Sequence, residues 1–223
     1  MTPLPRQLLA EGLGTMALLT TIAGSGIMGD ALAGGQAGAA LLPHSLAIGA
    51  MLFCLITVLG PVSGAHFNPA VTLVFLLRGQ IAPVPAAAFV VVQIAAGCAG
   101  VLLAHLMFDL DLGQVSARER TGLGQWSAEV VATAGLILII LGGLRTNAAL
   151  IPALVGFYIM AALWFTASTS FANPAVTIAR MLTDTFSGIQ PADAPAFIVA
   201  QIVGALLGWG VAAALWPTTG GTD

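Results

Sequence analysis

Few groups in this chain could do chemistry, and most of them sit among apolar residues. Glu11 and Glu129 lie inside long hydrophobic runs, and each opens a Glu-x-x-x-Thr pattern closed by Thr15 or Thr133. An acid at membrane depth is a functional candidate by default, either as a proton carrier or as an acceptor that orders nearby backbone. The second role is the expectation here. His44, His66 and His105 show no metal-ligand spacing with one another or with Cys54 and Cys98, so no metal and no cofactor is expected. The two cysteines read as free thiols buried in apolar spans. No Ser/His set and no acid pair supplies a nucleophile or a general base, so an enzyme is not expected either.

Amide chemistry carries more content. Asn68-Pro69-Ala70-Val71-Thr72 recurs unchanged as Asn173-Pro174-Ala175-Val176-Thr177, at position 173 against 68. Asn is a strong N-cap because its side-chain oxygen accepts a free N–H of the first turn. The following Pro has a preset φ and no N–H to leave unsatisfied. Each copy therefore starts a helix. The apolar runs that follow end near Arg78 and near Asp184, about ten residues each, whereas a bilayer crossing takes about twenty. Paired half-length helices in corresponding places point to a site at the membrane midplane. Two helix N-termini meeting there would repel cations, hydronium included, because each carries roughly half a positive charge. The Asn amides would offer N–H to a passing oxygen, and the carbonyls of 64–67 and 169–172 would add acceptors. His66, beside the first tip, is expected to line the same path. Such a polar stripe on an apolar wall suits water and uncharged hydroxylated solutes.

The elements that must hold these groups follow from composition. The 223 residues are 58% hydrophobic and 7% charged, with a mean hydropathy of +1.01, where soluble domains carry about 25% charged residues. The chain is therefore an integral membrane protein surrounded by lipid. Its net charge of −3 argues against a nucleic-acid partner. Six apolar runs read as spanning helices, over about 8–28, 43–60, 84–108, 126–144, 147–165 and 195–215. The first is taken as a span and not a cleaved signal. The polar stretch 109–125 joins a first repeat of about 1–108 to a second of about 126–217, within one domain over 1–223. Phe89-x-x-x-Gln93 matches Phe197-x-x-x-Gln201, and Gly100 matches Gly208. Gln93 and Gln201 read as buried polar braces, like the two acids. Three spans per half place the halves in opposite orientation, an inverted repeat.

The paired Asn-Pro-Ala boxes, the run Ser63-Gly64-Ala65-His66-Phe67-Asn68 and the repeated Glu and Gln resemble the aquaporin/aquaglyceroporin (major intrinsic protein) family. The resemblance covers essentially the whole chain. It implies an all-α membrane fold of six spans plus two re-entrant half-helices, passive flow of small neutral solutes and water, and a homotetramer with one pore per subunit. It also implies a cell inner (plasma) membrane location with both termini cytoplasmic. Charge alone does not orient the chain, since Arg6, Arg78 and Arg145 face one side and Arg118, Arg120 and Arg180 the other.

One departure stands out. The family usually places an Arg directly after the second box, at the narrowest point; here that position is Val176. Counting from the boxes, the constriction would comprise Ile48, Ala161, Ser170 and Val176, a wide and apolar set. Arg180, one turn beyond Val176, either projects into the vestibule or pairs with Asp184 at i,i+4, the plainer expectation. Loss of the constriction Arg resembles the bacterial aquaglyceroporins associated with arsenic resistance. Their expected cargo is glycerol-sized solutes, arsenite or methylated arsenicals. A water-selective pore is the alternative; a secondary active transporter on an inverted repeat is a weaker one, because both tips are uncharged.

Overall fold

The structure is a computed structural model that describes residues 2–217; residue 1 and residues 218–223 of the expected domain lie outside the described residues. Among the described residues, six helices are long and apolar enough to cross a membrane. In chain order the helices are α1 (Leu4–Ala33), α2 (Ala37–Ser63), α3 (Pro69–Leu77), α4 (Pro83–Met107), α5 (Leu123–Thr146), α6 (Ile151–Phe165), α7 (Pro174–Arg180) and α8 (Ala194–Leu215). The short members, α3 and α7, begin at the two boxes.

Several spans run longer than the sequence suggests, because small residues near their ends are packing positions. A Cβ at Gly29 would lie 2.9 Å from the Ala40 carbonyl oxygen, so α1 continues past it to approach α2. A Cβ at Gly142 would meet the Trp216 ring at 2.7 Å, and α5 likewise continues. α1 ends instead at Gly34, whose φ of 55° is the left-handed geometry favoured at helix ends. Asn147 does cap, accepting from the Ala149 N–H, but a single 3-10 turn over Ala148–Leu150 precedes α6.

α7 ends at Arg180 and does not extend to Asp184. The chain leaves the helix there because other partners take its groups. The Asp184 carboxylate accepts from the Ala117 N–H, and the Asp184 N–H donates to Gln114 Oε1. Ser116 N–H donates to the Met181 carbonyl, and Gln190 N–H to the Arg118 carbonyl. The connection between the halves is thereby laced onto the segment after α7.

Within each half, the first helix packs against the fourth at one small residue. A Cβ at Gly100 of α4 would stand 2.3 Å from the Met16 carbonyl oxygen of α1. A Cβ at Gly208 of α8 would stand 2.3 Å from the Ala134 carbonyl oxygen of α5. Small residues at such crossings let helix backbones approach in lipid, where no hydrophobic force pulls helices together.

Candidate functional site

The segments leading into α3 and α7 follow an unusual path. Gly64, Ala65 and Phe67 have positive φ, and so do Thr169, Ser170 and Ala172. Left-handed geometry costs a non-glycine residue roughly 1–2 kcal/mol, so something must hold these links. The two buried acids do it. Glu11 Oε1 accepts from Ser63 Oγ (2.7 Å) and the His66 N–H (2.9 Å), and Oε2 from the Phe67 N–H (2.7 Å). Glu129 accepts from the Phe171 and Ala172 N–H groups, each at 2.9 Å. Gln93 Nε2 ties Glu11 to Thr72 Oγ1, and Gln201 Nε2 ties Glu129 to Thr177 Oγ1. Every carboxylate oxygen thus accepts from neighbouring N–H or O–H groups, in the way expected of braces.

At the tips, Asn68 Oδ1 caps α3 through the Ala70 N–H (2.9 Å). Asn173 Oδ1 caps α7 through the Ala175 N–H (2.9 Å) and the Val176 N–H (3.3 Å). Pro69, Pro174, Ala70 and Ala175 form the first turns and are buried. Each Asn also reaches across the molecule. Asn68 Nδ2 donates to the Ala172 carbonyl and Asn173 Nδ2 to the Phe67 carbonyl, both at 2.8 Å. Two carbonyls of the expected acceptor ladder are therefore occupied, and each side-chain amide keeps one N–H for another acceptor.

The passage beside the tips has an apolar wall built from i,i+4 stripes: Leu18 and Ile22, Ile48 with Leu52 and Ile56, and Leu136 with Ile140. Asn68, Asn173, His66, Ile48, Ser170, Val176 and Arg180 all line it. Ala161 does not; it is exposed on the outer face of α6. The inward stripe of α6 is Ile151, Val155, Ile159 and Leu163, so counting back from the box misses the helical phase by two residues. Ser170 Oγ is buried and, among the described residues, has no hydrogen-bond partner.

The two ends of the passage differ. At one, His66 Nδ1 and Thr72 Oγ1 hydrogen-bond at 3.1 Å, and the imidazole lies against Phe75 with centroids 4.5 Å apart. At the other, Arg180 Nε donates to the Ser187 carbonyl, and its guanidinium carbon sits 3.4 Å from the Phe171 ring centroid. The expected Arg180–Asp184 pair does not form, since Asp184 lies beyond α7 and bonds the 114–117 segment. Arg120, from the connection between the halves, reaches the same ring at 5.1 Å. Burial pushes the Arg120 guanidinium down to about 10, with Arg118 adding to the shift, so it stays charged at neutral pH. His44 and His105 are buried. His44 bonds Ser25 Oγ and meets Phe186 edge-on, while His105 bonds Thr183 Oγ1.

Sequence reasoning did not single out Phe75, Phe171 or Arg120. Phe171 had a signal, since it stands two residues before the second Asn as His66 stands before the first. Arg120 had none, because only the folded chain brings it there.

Comparison with known proteins agrees with this geometry. The profile of the family described as "Major intrinsic protein" matches residues 2–172. The aquaglyceroporin AqpS of Rhizobium meliloti (strain 1021) is 53% identical over 203 residues, 91% of this chain and 87% of that protein. Aquaporin Z of Photorhabdus laumondii is 31% identical over 154 residues, 61% of this chain and 64% of that protein. The aquaglyceroporin structure from Plasmodium falciparum superposes with a TM-score of 0.72 over 97% of both chains at 20% identity, a likeness of fold. With its six spans, its two half-helices and a family profile covering most of its length, the chain belongs to the major intrinsic protein family and is a passive membrane channel for small solutes.

Proposed function

We propose that the channel conducts uncharged hydroxylated solutes larger than water, of the size of glycerol or neutral arsenite, with water following. The observation that carries this reading is the lining where the family's cation would stand. Ile48, Leu163 and Val176 are apolar, and Ser170 brings one hydroxyl among them. A hydroxylated molecule can give one edge to that oxygen and turn the rest of its surface to hydrocarbon. The 53% identity to a protein named an aquaglyceroporin supports the same cargo class. The central pair, Asn68 and Asn173, then supplies the next donors along the path.

The subunit is read as one member of a homotetramer, each with its own passage, in the cell inner membrane with both termini cytoplasmic. Burial supports that orientation. Arg120 and Arg180 are buried, which leaves Arg6, Arg78 and Arg145 exposed on the side of the termini and Arg118 exposed on the other. Excess arginine in short segments at span ends favours the cytoplasmic side.

The test is a permeability panel on proteoliposomes covering water, glycerol, urea and arsenite. Glycerol and arsenite should pass well above protein-free vesicles. Fast water flux with glycerol and arsenite at background would give the water-selective alternative instead.

A further inference from the structure

The α7 end of the passage holds more positive charge than the central boxes require. Arg180 is 4% exposed and lines the passage; Arg120 is 9% exposed and stands behind the wall. Both guanidiniums lie on the ring of Phe171. Their hydrogen bonds go to oxygens that carry no charge. Arg180 Nε donates to the Ser187 carbonyl; Arg120 Nε donates to the Gly188 carbonyl at 2.7 Å and Nη1 to the Ser168 carbonyl at 3.3 Å. The nearby acids are occupied elsewhere. Glu129 accepts from the Phe171 and Ala172 N–H groups and from Gln201. Asp193 accepts from the Arg120 N–H and from Gln190 Nε2. Among the described residues, carbonyl dipoles, the Thr169 hydroxyl and one π face, with no direct carboxylate partner, therefore hold two buried cations side by side. Such an arrangement is costly.

We propose that Arg120 and Arg180, sharing Phe171, form a cation barrier one turn beyond the uncharged Val176. Arg180 presents its charge to the passage. Arg120 is a positioning residue: it pins the Ser168 and Gly188 carbonyls on either side of α7, steadies the ring under Arg180 and adds its own field through a poorly screened wall. The barrier stands at one end, because the residue corresponding to Arg180 after the first box, seven positions past its Asn, is Phe75. Uncharged solutes are admitted by the apolar constriction while cations are turned back before reaching it. This inference rests on the neutral-solute reading above.

The full chain in liposomes tests it with two readouts on each preparation: glycerol flux by light scattering, and proton leak under a potassium diffusion potential by an entrapped pH dye. Wild type should conduct glycerol with proton leak at the level of protein-free vesicles. Arg180→Met should raise the leak about 10-fold and Arg120→Met about 3-fold, as removal of a poorly screened charge implies. Arg120→Lys should return the leak to background, and glycerol flux should stay within about 2-fold in both Arg120 variants. A strut without electrostatic role would lower glycerol flux and leave the leak alone. That result, or background leak in both Met variants with glycerol flux intact, overturns the proposal. If Arg120→Met does not reconstitute, Phe171→Leu removes the shared ring and neither charge; it should raise the leak, and an unchanged leak overturns the ring's role. Wild-type vesicles impermeable to glycerol, urea and arsenite would instead overturn the neutral-solute reading.

Discussion

One half of the passage ends in an imidazole beneath a phenyl ring; the other ends in a phenyl ring beneath a guanidinium. His66 and Phe171 each stand two residues before a box Asn, and Phe75 and Arg180 each stand seven residues after it. The supporting positions are alike too. Phe89 meets His66 edge-on at 5.6 Å, and Phe197 meets Phe171 edge-on at 5.1 Å. Braces, caps and crossings repeat with nearly the same distances, whereas the groups facing the passage do not. The duplicated part is thus the machinery that holds a strained link at membrane depth. The unduplicated part is the chemistry that a solute meets, free to change because little of the scaffold depends on it.

The largest expected effect bears on the shared scaffold. Glu11→Ala and Glu129→Ala should each destabilise the protein by about 3 kcal/mol or more, since several buried donors lose their acceptor. Thermal unfolding in detergent, followed by size-exclusion chromatography, measures both. A large loss in one and none in the other would break the equivalence of the halves. Next come the crossings. Gly100→Val and Gly208→Val should each cost about 1–3 kcal/mol, because the added carbons would overlap a backbone carbonyl; closely similar losses would sharpen the comparison.

The passage-facing residues should then respond unequally. Val176→Arg should cut glycerol flux about 10-fold, equivalent to about 1.4 kcal/mol of barrier, with water affected less. Stopped-flow measurement showing unchanged glycerol flux would remove Val176 from the constriction. Ser170→Ala is the mildest change, expected to slow glycerol about 3- to 5-fold by removing one hydrogen bond worth roughly 1 kcal/mol. Ala65→Ser, at the corresponding place before the first box, should not speed it by a like factor; if it did, the two halves would share the solute-binding step.

Much of this architecture was legible in the chain. Boxes and apolar runs are local signals, and capping chemistry at Asn68 and Asn173 needs no tertiary information. The Glu and Gln positions announced themselves by being polar inside apolar spans. Span ends were less legible, because Gly29 and Gly142 are small for the sake of a neighbouring segment, which a single sequence does not display. Ala161 was placed by counting along the chain, although the four-residue spacing of Ile151, Val155, Ile159 and Leu163 was there to be read. The reach of Arg120 to Phe171 spans 51 positions between elements that no periodicity connects.

The crossed amide bonds at the tips bear on how the protein is made. Asn68 donates to Ala172, and Asn173 to Phe67. Until the second half is made, that amide N–H and the Phe67 carbonyl lack these partners. They gain them only when residues 172–173 arrive. A ribosome-bound nascent chain stopped short of them should hold α3 poorly, and one extended just past them should lock both tips in a single late step of biogenesis.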